Sequence, residues 1–395
     1  MLGVAELERK FGGNNVTMVN ATSALVKTDK LNVSDLGGAM KAGLVLDSFS
    51  ARSWSDVSQK VVRLLIDRFS SYEGKITLGI SEYGSNISPR DVQKVGITLK
   101  QRLKNSTASL RLIPNQDSAL SSATSHHNKL GLSDNKVEVL IISGRGGKTY
   151  IALSVGAQNI TAYAKRDQGR PKRDAFVGML PPKLAQIIIN LATGNSVTLS
   201  PFKDEADKES DETKQPVILD PFCGTGVILQ EAALMGYSVY GTDLAEKMVR
   251  YTRDNLNWLE DMLRHKVDWY LHEGDAMTTQ WRQPIAAIAA EGYLGQPFSA
   301  PPSPSKLNEV RDNCDHIISA FLKNLSSQIP SGTPVCLAVP AWKKTDGSFT
   351  HLPLIDTIAK LGFKPHEFHN VAARDLLYYR EDQVVARELL VLIKI

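Results

Sequence analysis

The chain has 395 residues, 42% hydrophobic and 22% charged, with a net charge of +4, a balance that excludes a disordered tail, a collagen-like fibre and a bundle of membrane helices. Its three cysteines, Cys223, Cys314 and Cys336, are too few and too scattered for a disulfide framework or a zinc knuckle, and His126, His127 and His366 show no metal-ligand spacing, so no metal is expected. No window is apolar enough to span a bilayer and Glu6, Glu8, Arg9 and Lys10 stand where a signal core would lie, so a cytoplasmic protein of two or three domains is expected, with no membrane partner.

In chain order, residues 1–50 carry a helical pattern at Val4–Phe11 and a short strand at Ser23–Lys27. Residues 51–160 read as α/β, with a helix from Val57 to Phe69, a strand at Lys75–Ile80, a helix from Pro89 to Leu103 and a closing hairpin, Val137–Ile142 and Thr149–Ser154. Gly147-Lys148-Thr149 has the look of a nucleotide P-loop, but the first glycine of that motif would fall at Ile142 inside the strand, so the segment is a basic turn. Residues 161–200 form a connector. Its stretch from Thr161 to Asn190 holds Lys165, Arg166, Arg170, Lys172, Arg173 and Lys183 against Asp167 and Asp174, a surplus equal to that of the whole chain. Such a cluster suits phosphate contact, and a solvated linker is the plainer alternative. Pro181 and Pro182 suit the first turn of a helix, where a missing N–H leaves no partner unmet.

From 201 to 395 strand and helix patterns alternate, as a doubly wound, mostly parallel sheet demands. Phe202–Lys214 is acidic and almost free of apolar residues, so a flexible loop is expected. Pro216-Val-Ile-Leu-Asp220 is a buried-strand run that breaks into Pro221-Phe222-Cys-Gly224-Thr225-Gly226 and then a helix. Glycines there let the main chain turn sharply and approach a ligand, while the helix start aims its N–H groups at the same place. A second strand, Val239–Asp243, ends in a carboxylate beside Leu244, where an acceptor for a ribose hydroxyl pair is expected. A helix from Ala245 to Met262, a strand at Pro284–Ala290, a helix from Asn308 to Ser327, a strand at Val335–Pro340 and two closing runs, Ala373–Tyr379 and Val384–Ile393, complete the domain.

A nicotinamide fingerprint requires a third small residue where this chain has Leu229. Asp220-Pro-Phe-Cys-Gly-Thr-Gly226 instead resembles the first motif of S-adenosylmethionine-dependent methyltransferases of the class I Rossmann-like fold. That resemblance implies a cofactor site at Asp220, Pro221, Phe222, Gly224, Thr225, Gly226, Asp243 and Leu244. Asp275 and Ala276, after the apolar run Val267–Leu271, stand where the third motif touches the adenine.

The connector, through Arg170-Pro-Lys-Arg-Asp174 and Val177–Ala192, resembles that of the THUMP-domain tRNA guanine-N2 methyltransferases, the group acting on the guanosine at position ten. Gly37–Gly43 is similar to the family's ferredoxin-like segment, and Leu377–Gln383 with Arg387–Leu392 to its closing strands. The resemblance implies four parts. These are an N-terminal ferredoxin-like segment (1–50, clipped at its start), a THUMP module that grips tRNA (51–160), the basic connector and helix (161–200), and the methyltransferase domain (201–395). It implies tRNA as partner, with Lys165, Arg166, Arg170, Lys172 and Arg173 on the RNA, and leaves open whether a small activating subunit is required.

Chemistry belongs after the fourth strand, at its carboxyl end. Base-amine methyltransferases place Asp/Asn-Pro-Pro-Tyr/Phe there, and this chain has Glu291-Gly292-Tyr293-Leu-Gly295. Glu291 replaces the shorter acid as acceptor of an amine N–H, Gly292 gives the backbone freedom to take up the extra methylene, and Tyr293 stacks the base. Two alternatives share the cofactor motifs: methylation of an adenine amine in DNA or another RNA, and a tRNA-binding protein whose pocket has lost turnover.

Overall fold

The structure, a computed structural model, describes residues 1–174, 179–197, 215–282, 284–298 and 300–395. The acidic run of 202–214 lies outside the described residues, as do positions 175–178 of the connector. The chain divides into two compact units, Asn15–Ala164 and Met1–Asn14 with Lys165–Ile395.

Helix α1 (Leu2–Phe11) opens the chain and belongs to the second of these units. The boundary therefore falls inside the expected 1–50 segment, and side chains explain it. Arg9 donates to the carbonyls of Leu191 and Ala192 at 2.8 and 2.9 Å, satisfying acceptors that a helix end leaves open. Glu8 accepts from the backbone N–H groups of His369 and Asn370.

The unit Asn15–Ala164 begins with the hairpin β1 (Val16–Asn20) and β2 (Ser23–Val26). Next come β3 (Lys41–Ser50), α2 (Trp54–Phe69), β4 (Gly74–Tyr83), α3 (Pro89–Arg102) and β5 (Ala108–Leu112). The unit continues with α4 (Ser122–His127), β6 (Lys136–Ser143) and β7 (Lys148–Ala157), and its last residues enter α5 (Ile160–Gln168). Helix α2 starts three residues before the expected Val57 because Ser53 and Asp56 form a reciprocal cap. The sheet order is β3-β7-β6-β4-β5, and Val57, Val61, Leu65, Val92, Val95 and Leu99 from α2 and α3 share its core. Gly146 and Gly147 take φ of 67° and 77° in the turn before β7, the glycine bend expected in place of a P-loop.

The other unit continues with α6 (Pro182–Thr193), β8 (Val217–Asp220), α7 (Val227–Leu234), β9 (Ser238–Asp243) and α8 (Glu246–Leu263). It closes with β10 (Trp269–Glu273), β11 (Ile285–Glu291), α9 (Pro304–Ser326), β12 (Pro334–Lys343), β13 (Phe349–Thr350), β14 (Phe363–Pro365), β15 (Leu377–Tyr378) and β16 (Val385–Lys394). The run expected as a strand over Ala373–Tyr379 pairs only at Leu377 and Tyr378, since a helical turn occupies Ala373–Asp375. Strand order is β10-β9-β8-β11-β12-β16-β14, with β10 through β12 parallel and β16 antiparallel, which is the Rossmann-like methyltransferase fold. Helices α6, α7 and α8 contribute to the core on one face, and α9 to that on the other. Order reverses between β8 and β11, and open α/β sheets bind ligands in the crevice at such a point. Among the described residues no helix is long and apolar enough to cross a membrane.

Candidate functional site

The carboxyl ends of β8, β9 and β11 bring together most of the residues expected to act. After Asp220 the chain bends through Gly224 at φ 52° and Gly226 at φ 79°, values that favour glycine. Gly226 caps α7, and a Cβ there would stand 2.8 Å from Thr252 Cγ2. Thr252 donates its hydroxyl to the Gly224 carbonyl at 2.8 Å, and Asn255 donates to the Thr225 carbonyl at 2.8 Å. Two buried polar residues of α8 thus fix the turn from beneath and leave its upper side to a ligand. Neither carried a local sequence signal, since each reads as one polar position in a helix.

Asp243, at the end of β9, accepts from the Gly224 N–H and from the Ala245 N–H, each at 2.9 Å. Its carboxylate joins the first turn to the second and keeps lone pairs for hydroxyl donors. Burial pushes the Asp243 carboxyl upward from its ordinary value, against the pull of those N–H groups. Burial raises Asp220 much further, one backbone N–H from Phe222 opposes it, and the nearby charges of Asp243 and Glu291 add to the rise. Asp220 accepts from the Phe222 N–H at 3.1 Å, which ties the start of the turn to the end of β8. Asp275 fastens its own loop by accepting from the Met277 N–H, and the Gly274 N–H reaches the Asp243 carbonyl at 3.0 Å. Ala276 is buried in the core and Leu244 is 70% exposed, so of these two only Leu244 offers a free apolar surface.

Glu291 ends β11 opposite Ala338 of β12, and the Gly292 N–H continues the ladder to the Ala338 carbonyl at 2.9 Å. A Cβ on Gly292 would meet Ile318 Cδ1 at 2.6 Å, so the glycine lets the corner lie directly on α9. Tyr293 is 41% exposed, free to present its ring. Sequence reasoning missed the residue that Glu291 touches: Arg387 of β16 donates from Nε to Glu291 Oε1. Its run, Arg387–Leu392, read only as a closing strand, and no local pattern marks it as the partner of a residue 96 positions away.

The connector cations divide. Arg166 forks onto Glu231 of α7 with contacts of 2.6 and 3.0 Å, and Glu231 is buried. Arg170 is itself buried, with no hydrogen-bond partner for Nε or Nη2 among the described residues. These two belong to the packing of the connector and stand apart from an exposed phosphate surface. Lys172 pairs loosely with Asp254 at 3.6 Å, and its backbone is held at both ends by Asn255. Lys165 and Arg173 are exposed. A separate cavity of about 310 Å³ opens at the amino ends of β8, β9 and β11, the opposite edge of the sheet, and holds none of the expected residues.

The arrangement fits a nucleoside-bearing cofactor: a glycine bend in which Gly226 has no room for a Cβ, a helix start, and an acid for the ribose. Residues 208–278 match the RMKL-like methyltransferase domain family. The chain is 30% identical over 176 residues to the tRNA (guanine(10)-N2)-dimethyltransferase of Methanothermobacter thermautotrophicus, covering 44% of this chain and 43% of that protein. It is 26% identical over 214 residues to the enzyme of that name from Methanocaldococcus jannaschii, covering 53% and 54%. The chain thus spans about half the length of these curated relatives or less. Among solved structures, TrmN from Thermus thermophilus is similar over 94% of this chain and 89% of its own, with 17% identity and a TM-score of 0.47. A stretch of the second unit thus matches a methyltransferase-domain family, and parts of the chain are similar to relatives of the kind its motifs pointed to.

Proposed function

We propose that this chain is an S-adenosylmethionine-dependent tRNA methyltransferase, acting in the cytoplasm on the exocyclic N2 amine of the guanosine at position ten. The observation that carries the proposal is the junction of a glycine cradle after β8 with an acid-aromatic corner after β11, side by side at the switch point of the sheet. The names of the relatives support the choice of tRNA and of guanine. Residues 51–160 are the proposed tRNA grip, and Lys165 and Arg173, which are exposed, are proposed to add phosphate contacts.

When bound, S-adenosylmethionine supplies an electrophilic methyl group on a sulfonium. Gly224, Thr225 and Gly226 hold its methionine and ribose end through backbone, Asp243 accepts the ribose hydroxyls, and Leu244 and Asp275 border the adenine. The guanine is presented out of its stack, because its amine is not reachable within a paired helix. Tyr293 stacks it, a contact worth ~1–3 kcal/mol per base. Glu291 accepts an amine N–H, which orients the nitrogen lone pair, and takes the proton that the methylated amine releases. Positioning carries most of the acceleration, so a strong base is unnecessary.

The departure to Glu-Gly-Tyr-Leu-Gly, with Glu291 engaged by Arg387, favours one rival: a tRNA-binding protein without turnover. Mass spectrometry of nucleosides from tRNA incubated with the protein and labelled donor decides. N2-methylated guanosine is expected; methyladenosine or an unmodified tRNA would refute the proposal.

A further inference from the structure

We propose that Glu291 and Arg387 act as one reader of the Watson–Crick edge of guanine, a specificity role for Arg387 that rests on the guanosine proposal above. Guanine offers two neighbouring donors along that edge, the N2 amine and N1–H, followed by the O6 acceptor. Adenine offers an amine donor and then a lone pair at N1. A carboxylate only accepts and a guanidinium only donates.

The two side chains reach toward each other over β12, from Glu291 opposite Ala338 and Arg387 opposite Pro340. Alternation puts them on one face of the sheet. Ala287 and Ala289, which precede Glu291 by four and two positions, share a core with Leu389 and Val391, which follow Arg387 by two and four. Arg387 uses Nε to hold Glu291 Oε1, which leaves Oε2 to accept and the terminal N–H groups of the guanidinium to donate. Neither side chain is sealed, since Arg387 keeps 10% of its surface and Glu291 16%.

Acceptor followed by donor is the complement of the guanine edge. The carboxylate takes N2–H and N1–H, and the guanidinium reaches O6. Adenine in the same place would set its N1 lone pair against the carboxylate and give Arg387 no acceptor, so the pair rejects the competing base as well as holding the right one.

2-Aminopurine tests this, because it keeps the reacting amine but lacks both N1–H and O6. With synthetic tRNA carrying either base at the target, the wild type should prefer guanine by at least about a hundredfold in kcat/KM. Arg387→Met should lower that ratio to about tenfold or less while donor affinity, read by calorimetry, stays within about twofold. Arg387→Lys, which keeps a cation beside Glu291, should fall between and serves if the methionine variant fails to fold. An Arg387 variant that loses activity equally on both bases, with the wild-type ratio intact, would show a mere prop and overturn the proposal. So would a wild type that methylates 2-aminopurine as well as guanine, a result that leaves the guanosine activity standing. A wild type that methylates no guanosine in tRNA would remove both proposals together.

Discussion

Replacing Gly226 with alanine attacks the cradle where the backbone has least room. The residue sits at φ 79°, and a side chain in that region costs about 1–2 kcal/mol. The new Cβ would stand 2.8 Å from Thr252 Cγ2 and 3.0 Å from its Oγ1, whereas carbon atoms settle at about 3.5–4.0 Å. Thr252 is fully buried and its hydroxyl is committed to the Gly224 carbonyl, so relief requires movement of the turn itself. Overpacking of this kind costs about 1–3 kcal/mol, which brings the expected total to roughly 2–5 kcal/mol. Urea unfolding reads it as a lower midpoint at unchanged slope. Calorimetry should show weaker donor binding in the same variant, because the shifted turn no longer presents its backbone. Adding Thr252→Ser removes Cγ2, keeps the hydroxyl and should return part of the packing loss, while the φ strain remains. If Gly226→Ala matches the wild type in midpoint and in donor affinity, the tight-cradle reasoning is wrong.

Glu291→Gln should lower single-turnover methylation at least about a hundredfold with donor affinity nearly unchanged, and equal activity would strip Glu291 of its role. Asp243→Ala removes the ribose acceptor and leaves the Gly224 and Ala245 N–H groups unpaired; donor binding should weaken by about 2–4 kcal/mol, and unchanged binding would move the ribose elsewhere. Because burial raises the Asp243 carboxyl and the ionised form is the acceptor, donor affinity should be full above that raised value and decline as pH falls through it. Asp243→Asn should erase this dependence, and a pH limb that survives the change would belong to another group. Arg166→Met takes from the buried Glu231 the cation that is hydrogen-bonded to it, a loss of about 3–5 kcal/mol in urea unfolding. That carboxyl is already raised by burial, so the loss should shrink as pH falls and Glu231 takes up a proton; a pH-independent loss would contradict the pairing.

Most of the sheet at the site was legible because β8, β9 and β11 are short apolar-rich runs closed by an acid, at Asp220, Asp243 and Glu291. The cradle was legible for the same reason, since glycine spacing records what the backbone must do. What supports it was not. Thr252, Asn255 and Arg387 act across sequence gaps of 28, 30 and 96 residues, and no local pattern encodes a partner that far away. The connector shows a second limit: counting charge treats all cations alike, yet Arg166 serves a buried carboxylate and Arg170 is enclosed, while Lys165 and Arg173 stay in solvent. Strand β3 was missed because its consecutive Gly43-Leu44-Val45-Leu46 is exposed and lacks the alternation of a half-covered strand, and only its pairing with β7 defines it. The first 14 residues went with the unit Lys165–Ile395 because Arg9 and Glu8 find their partners at Leu191, Ala192, His369 and Asn370.

The most direct test is a crystal structure of the protein with S-adenosylhomocysteine bound. The ribose hydroxyls should lie on Asp243 and the sulfur should face the Glu291 corner across the bend of Gly224 to Gly226. Product bound at any other edge of the sheet, or a corner directed away from the sulfur, would contradict the account.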